Sequence, residues 1–183
     1  MSNIHPTAVI GNRVEIAEDV EIGPYCVIEG RVKLMKGAKL HSHVCLDGNT
    51  TIGEGVEIYP FASIGKAPQD LKFKNEPSTV EIGSYTIIRE YVTVHPGTDG
   101  GIMKTVIGEK CLLMIGAHVA HDCIVGNNVI MANNATLAGH VTVADHVIIG
   151  GLSAIHQFVR IGVHAIIGGM SGVDKDVIPF GSV

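Results

Sequence analysis

Large aliphatic residues recur at every sixth position of this chain. From Ile4 the series runs through Ile10, Ile16, Ile22 and Ile28 to Leu34, Leu40 and Leu46, then Ile52, Ile58 and Ile64, with no polar member. Four residues after each stands a small or β-branched one, as at Ala8, Val14, Cys26, Ala38 and Ala62. The pattern returns at Ile82, Ile88 and Val94, slips by one residue, and continues from Ile107 to Val173. A period of six matches neither a helix at 3.6 nor a two-faced strand at 2. It predicts short strands joined by tight turns, each side of the fold sending one large and one small residue inward. Three sides make a coil of eighteen residues, and stacked coils make a prism: an all-β, parallel β-helix. Glycine follows the aliphatic position at Gly23, Gly53, Gly83, Gly108 and elsewhere, which suits a strand-to-turn corner.

Two stretches leave the pattern. Residues 66–79, KAPQDLKFKNEPST, carry prolines and charges, and residues 95–105, HPGTDGGIMKT, are glycine-rich and coincide with the slip. Loops that leave a rigid scaffold are where function concentrates. The repeat is expected to fill residues 1–178, with 179–183 opening a truncated C-terminal segment.

Composition supports a thin, regular interior, since aromatics make up only 4% of the 183 residues. A net charge of -5 gives no footprint for nucleic acid. No apolar run approaches the roughly 20 residues of a membrane span, and no secretory signal precedes the repeat. Cys26, Cys45, Cys111 and Cys123 lack C-x-x-C spacing, and three of the four fall in the small inward slot, so they read as core filler in a cytoplasmic protein.

The chemistry concentrates in MIGAHVAHDCIVGNN, residues 114–128. The repeat turns both His118 and His121 outward, because Val119 and Cys123 hold the inward slots. His140 and Gly139 lie about one coil further on, and His95 and His156 also face outward. If sides of several copies meet, these imidazoles gather in one cleft between subunits. A neutral imidazole can accept a hydroxyl proton, and Asp122 can orient it. Neighbours on a strand point to opposite faces, so that pairing requires a turn at this point. Gly139 would offer an unobstructed backbone N–H to a developing oxyanion. The competing reading is a metal centre of the kind used by hexapeptide-repeat carbonic anhydrases, with His118 and His121 joined by His95 or His140. His5, His41, His43, His146 and His164 read as surface histidines.

Eight strings carry a resemblance over nearly the whole chain: IHPTAVIG, GPYCVIEG, IGKAPQDLKF, REYVTVHPGT, AHVAHDCIVGN, MANNATLAGHVTV, GGLSAIHQFVRIG and GGMSGVDKDV. Together they resemble the UDP-N-acetylglucosamine O-acyltransferases that begin lipid A biosynthesis, a family of hexapeptide-repeat acyltransferases. The resemblance implies a left-handed β-helix, a homotrimer, and no metal or other cofactor. It implies transfer of an acyl group, typically 3-hydroxyacyl, from acyl carrier protein to the glucosamine 3-hydroxyl of UDP-N-acetylglucosamine. His121 would be the general base and Gly139 the oxyanion donor. Asp70, Lys72, His95, His118, Asp122, His140, His156 and Gln157 would line the substrate site, and Gly169 would stand at the acyl-length ruler. Family members usually continue into a C-terminal helical domain, which this chain is expected to lack. A catalytically weakened trimeric scaffold is the alternative that this shortness favours. Two positions depart from the family pattern: Pro96 follows His95 where a basic residue is usual, and Gly116 replaces a common asparagine.

Overall fold

The computed structural model describes residues 2–183, and among them 26 short strands and no helix. The strands are dealt in rotation into three parallel sheets of nine, nine and eight, each strand hydrogen-bonded to the one three places later in the chain. Asn3 pairs with Glu21 and Val27 with Cys45, so a coil is eighteen residues. The fold is a β-helix whose interior holds the two predicted ladders. Leu34, Leu40, Leu46, Ile52, Ile58 and Ile64 are sealed, as are the small slots at Cys26, Ala38, Val44 and Ala62. Cys26, Cys111 and Cys123 point inward, Cys45 lies half-buried, and all four are free thiols. No helix is long and apolar enough to cross a membrane among the described residues.

Most strands are only two residues long, far too short to persist alone. What holds them is the next coil. His41 donates to Ile58, Cys45 to Ala62 and Asp47 to Ile64, all within about 3 Å, and the pattern repeats along the axis. The corners are tight because their second residue takes a left-handed backbone conformation, φ near +60°, at Tyr25, His43, Phe61, Asp122, His140 and Phe158 among others. Side chains other than glycine hold these positions, although each costs roughly 1–3 kcal/mol. The glycines after the aliphatic slot answer to a different constraint from the one their spacing suggests. A Cβ on Gly83 would collide with the backbone of Gly108, and one on Gly108 with that of Gly126. Close approach of the next coil, rather than turn geometry, excludes a side chain there.

The two excursions leave at the same edge of the prism, between the second sheet and the third, in consecutive coils. Ile64 pairs with Val94, thirty residues on, so the first excursion adds twelve residues, two hexads, and leaves the frame unchanged. Val94 pairs with Val119, twenty-five on, so the second adds seven and produces the slip. Strands Thr79–Ile82 and Lys104–Ile107 begin inside the expected loop boundaries. At the far end, residues 179–183 follow the coil but two residues short of its eighteen-residue register. Ser182 bridges Ile166, and Gly168 donates to the carbonyl of Val183 at 2.7 Å. The path of the coil thus runs past residue 178.

Because the core is a ladder of aliphatic rungs, a truncated rung leaves a cavity with matched surfaces above and below. Leu113→Ala is expected to lower the unfolding free energy by about 2–5 kcal/mol, read by urea denaturation. A change within experimental error would show that neighbouring coils collapse into the gap.

Candidate active site

The edge that carries both excursions continues upward through the corners at His121–Asp122, Gly139–His140 and Gln157–Phe158, each between a second-sheet strand and a third-sheet strand. Stacking by eighteen residues therefore brings predicted site residues into one column.

At the first of these corners the required turn is present. Asp122 has φ 60°, and its carboxylate swings back to the preceding imidazole, with His121 Nδ1 2.8 Å from Oδ2. The Asp122 side chain has no exposed surface. The second excursion wraps it: the amide of Thr98 donates to both oxygens at 3.1 Å, the Thr98 hydroxyl to Oδ2 at 2.7 Å, and the amide of Ile102 to Oδ1 at 2.8 Å. Burial by itself pushes the Asp122 carboxyl pKa up. The hydrogen bonds from His121, Thr98 and Ile102 outweigh it and hold the carboxyl below its ordinary value. Asp122 is thus a buried anion. Expected among the substrate-binding residues, its carboxylate has no exposed surface and touches His121.

An ionised carboxylate accepts only, so Nδ1 of His121 carries a proton, and in the neutral ring Nε2 presents its lone pair. That edge lies against Gly139: a Cβ there would stand 2.5 Å from Cε1 and 2.6 Å from Nε2. The next coil must therefore be glycine at this point. Among the described residues the Gly139 amide has no acceptor, and neither do those of Asn133, Gly151 and Gln157, which open other corners. The fold supplies an unpaired N–H at many corners. At Gly139 that N–H has an imidazole beside it.

His140 meets His121 edge-on at 4.9 Å, and Phe158 stacks on the other face of His140 at 4.5 Å and 6°. His121 and His140 each keep a narrow exposed edge, 13% and 18%. Cys123, next in sequence to the pair, is no nucleophile. Its Sγ points into the core toward the carbonyl of Ala138, and burial pushes the thiol pKa up to about 12.

A second histidine pair sits one coil below and beside this one. His95 and His118 lie 5.4 Å apart. His118 Nδ1 is 2.7 Å from the Thr93 hydroxyl, and burial, with the neighbouring His95, lowers its pKa to about 4. His95 is buried; its Nδ1 donates to the carbonyl of Lys66 at 3.0 Å, which leaves Nε2 an acceptor, sealed and without a partner.

Asp70 and Lys72 stand on the first excursion, two coils below His121 on the same edge. Asp70 caps the Lys72 amide at 2.9 Å and the Lys72 side chain is exposed. His156 and Gln157 are exposed one coil beyond Gly139. Gly169 is not brought to this column: it follows Ile166–Ile167 of the first sheet and precedes Gly172–Val173 of the second, on another edge. Pro96 is buried at the start of the second excursion, and Gly116 takes φ 70° with the Asn134 side chain packed where its Cβ would be. Sequence reasoning missed Thr98, Ile102 and Phe158. The glycines at 97 and 101 were the available signal, because a Cβ on either would press into the Asp122 carboxylate.

His121, Asp122 and His140 offer donor atoms within 4.8 Å of one another, a grouping able to hold a cation. Within one chain this group does not include His118, which lies beside His95. Both Asp122 oxygens already accept from several donors, so a cation there must displace them.

Residues 104–139 match the family described as bacterial transferase hexapeptide (six repeats). The chain is 53% identical over 126 residues to an acyl-[acyl-carrier-protein]--UDP-N-acetylglucosamine O-acyltransferase of Paracoccus denitrificans, covering 69% of this chain and 48% of that protein. A crystal structure of UDP-N-acetylglucosamine acyltransferase superposes with a TM-score of 0.98 at 52% identity, over 99% of this chain and 70% of that one. The chain belongs to the UDP-N-acetylglucosamine O-acyltransferase family. Another member, LpxA from Acinetobacter baumannii, gives a TM-score of 0.94 at 51% identity, over 95% of this chain and 67% of that one. The chain spans about half the length of the curated relatives it matches. Within the family fold, the His121–Asp122–Gly139 column and both excursions lie inside the superposed part.

The depressed His118 pKa has a consequence for stability. An unfolded histidine titrates near 6.5, and the folded one only at about 4. Stability supplied by neutral His118 is therefore complete above about pH 6.5 and is lost as pH falls toward 4, where the unfolded chain binds a proton that the folded chain refuses. His118→Asn is expected to lose less stability than the parent between pH 7 and pH 5 in parallel denaturation series. Identical losses would show that His118 protonates freely in the folded protein.

Proposed function

We propose that the protein moves a (3-hydroxy)acyl group from acyl carrier protein to the glucosamine 3-hydroxyl of UDP-N-acetylglucosamine, the first step of lipid A biosynthesis in the cytoplasm. One observation carries this reading: an imidazole held through Nδ1 by a buried carboxylate, with its Nε2 edge against a side-chain-free residue whose amide is unpaired. Acyl transfer to a hydroxyl needs these two things, a base for the hydroxyl proton and a donor for the oxyanion.

His121 Nε2 takes the proton from the 3-hydroxyl as its oxygen attacks the thioester carbonyl. The electron pair moves to the carbonyl oxygen, and the Gly139 N–H meets the resulting anion. When the tetrahedral species collapses, the carrier's sulfur leaves and takes the proton back from the imidazolium, so the base is restored. Asp122 stays ionised throughout and stabilises the imidazolium between the two transfers. The remaining predicted residues fit a nucleotide-sugar along this edge. Lys72 presents a charge suited to phosphate, and His95, His118, His140, His156 and Gln157 flank the base above and below. No step asks for a cofactor or a metal.

The proposed acyl ruler, Gly169, stands on a different edge from His121, so the two line one channel only across copies. A face suited to such packing exists. The outward positions of the first sheet run Ile87, Leu112, Ile130, Ile148 and Ile166, an apolar strip five coils tall. A closed homotrimer covers that strip on every copy and forms each site between neighbours.

His121→Ala should remain folded and lose about 10²–10⁴ in the transfer rate. Gly139→Ala should lose about 10²–10³ or more, since it blocks the oxyanion donor and its methyl meets the imidazole. Both are read with thioester donor and UDP-N-acetylglucosamine; unchanged transfer in His121→Ala ends this mechanism. Light scattering should return three copies, and Ile148→Glu in the middle of the strip should yield single ones. Trimers surviving that change would place the contact on another face.

A further inference from the structure

The second excursion makes its most specific contacts with a residue that substrate cannot reach. Four hydrogen bonds run from it to the Asp122 carboxylate, three of them from Thr98, which is itself 3% exposed. Gly97 and Gly101 let the loop backbone close over the carboxylate where a Cβ would collide with it. A buried loop segment organised around one anion, one residue removed from the base, asks what that anion is being held for.

We propose that Thr98 is a positioning residue for His121, acting through Asp122. Its hydroxyl and the His121 Nδ1–H converge on the same oxygen, Oδ2, at 2.7 and 2.8 Å. The Ile102 amide holds Oδ1 at 2.8 Å, and the Thr98 amide straddles both oxygens at 3.1 Å, so the amides alone grip Oδ1 more closely than Oδ2. The hydroxyl fixes the second oxygen, and with it the direction in which Nδ1–H must point. The imidazole plane follows, so that Nε2 meets the Gly139 edge rather than the neighbouring His140 ring. No water can replace the hydroxyl, because both partners are sealed. The other titratable groups facing His121 are Asp122 itself and His140, whose Nδ1 lies 4.0 Å from Oδ2. The freedom that Oδ2 gains on loss of the Thr98 hydroxyl therefore leads the carboxylate toward a second imidazole.

The kinetic part rests on the acyl-transfer reading; a spectroscopic part does not. Thr98→Val keeps the shape and removes the hydroxyl. Its kcat should fall about 10- to 100-fold, the worth of a hydrogen bond to a charged group, with KM for both substrates nearly unchanged because Thr98 touches neither. Thr98→Ser should restore most of the rate. In proton NMR of the intact protein, the downfield Nδ1–H resonance of His121, assigned by its loss in His121→Ala, should broaden or move in Thr98→Val and return in Thr98→Ser. Gly101→Ala, whose methyl presses on the same carboxylate from an exposed part of the loop, should reproduce both effects if the valine variant does not fold. A normal kcat and an unmoved resonance in Thr98→Val, or in Gly101→Ala in its place, overturn the proposal. So does a loss of rate carried by KM alone. If His121→Ala transfers as fast as the parent, the functional reading fails, and the resonance still decides the role of Thr98.

Discussion

The backbone hydrogen bonds between successive coils are the constraint on which everything else rests. A two-residue strand has no independent stability, so each side of each coil exists only because its amides find carbonyls on the next coil, seventeen residues later where no loop intervenes. That register permits no drift. A slip of one residue turns every aliphatic rung outward and every polar residue in. It also makes glycine compulsory wherever one backbone crosses close above another, and it sustains left-handed corner residues such as Asp122 and His140 that an isolated turn would not favour.

The same register builds the candidate active site. His121 and Gly139 are eighteen residues apart, as are Asp122, His140 and Phe158 one position on. Their alignment along one edge is a consequence of coil length rather than of any contact between them. The excursions use the edge in two ways. The first, a whole number of hexads, adds Asp70 and Lys72 without disturbing the frame. The second adds seven residues, and the extra length lets the loop fold back beneath the next corner and surround Asp122. Burying that carboxylate is costly unless it is bonded, and the loop's amides and hydroxyl meet the need.

Much of this is legible in the sequence, because a period of six is a direct record of which residues face inward. The ladders, the inward cysteines and the outward histidines follow from counting. The need for a turn between His121 and Asp122 follows from strand geometry. Counting does not describe a segment that leaves the repeat. The donors on Thr98 and Ile102 depend on how an aperiodic loop folds back, and that is why the sequence suggests that Asp122 orients His121 but not that it is sealed. The orphaned Nε2 of His95 was invisible for the same reason, since its other nitrogen is tied to the first excursion at Lys66. Gly169 shows what counting along the chain leaves open. Its sequence position was matched to a role, but which edge it occupies depends on the corner it falls in, and that corner is not the one holding His121.

His118 and His121 are separated by two residues and differ in what the backbone makes of them. His118 lies on a strand, flat against the second sheet, with a hydroxyl and another imidazole as its neighbours. Nothing there welcomes a positive charge, so it stays neutral down to about pH 4 and serves as a hydrogen-bonding surface. His121 opens a corner, and the left-handed residue after it returns a carboxylate to its ring. A general base must hold a proton for part of every turnover, and that requires an anion within reach that will not itself take the proton. Asp122, kept ionised by donors from the second excursion, is such an anion, and it reaches only one of the two rings. The corner therefore decides which histidine can do the chemistry, and the loop beneath the corner decides whether it is aimed.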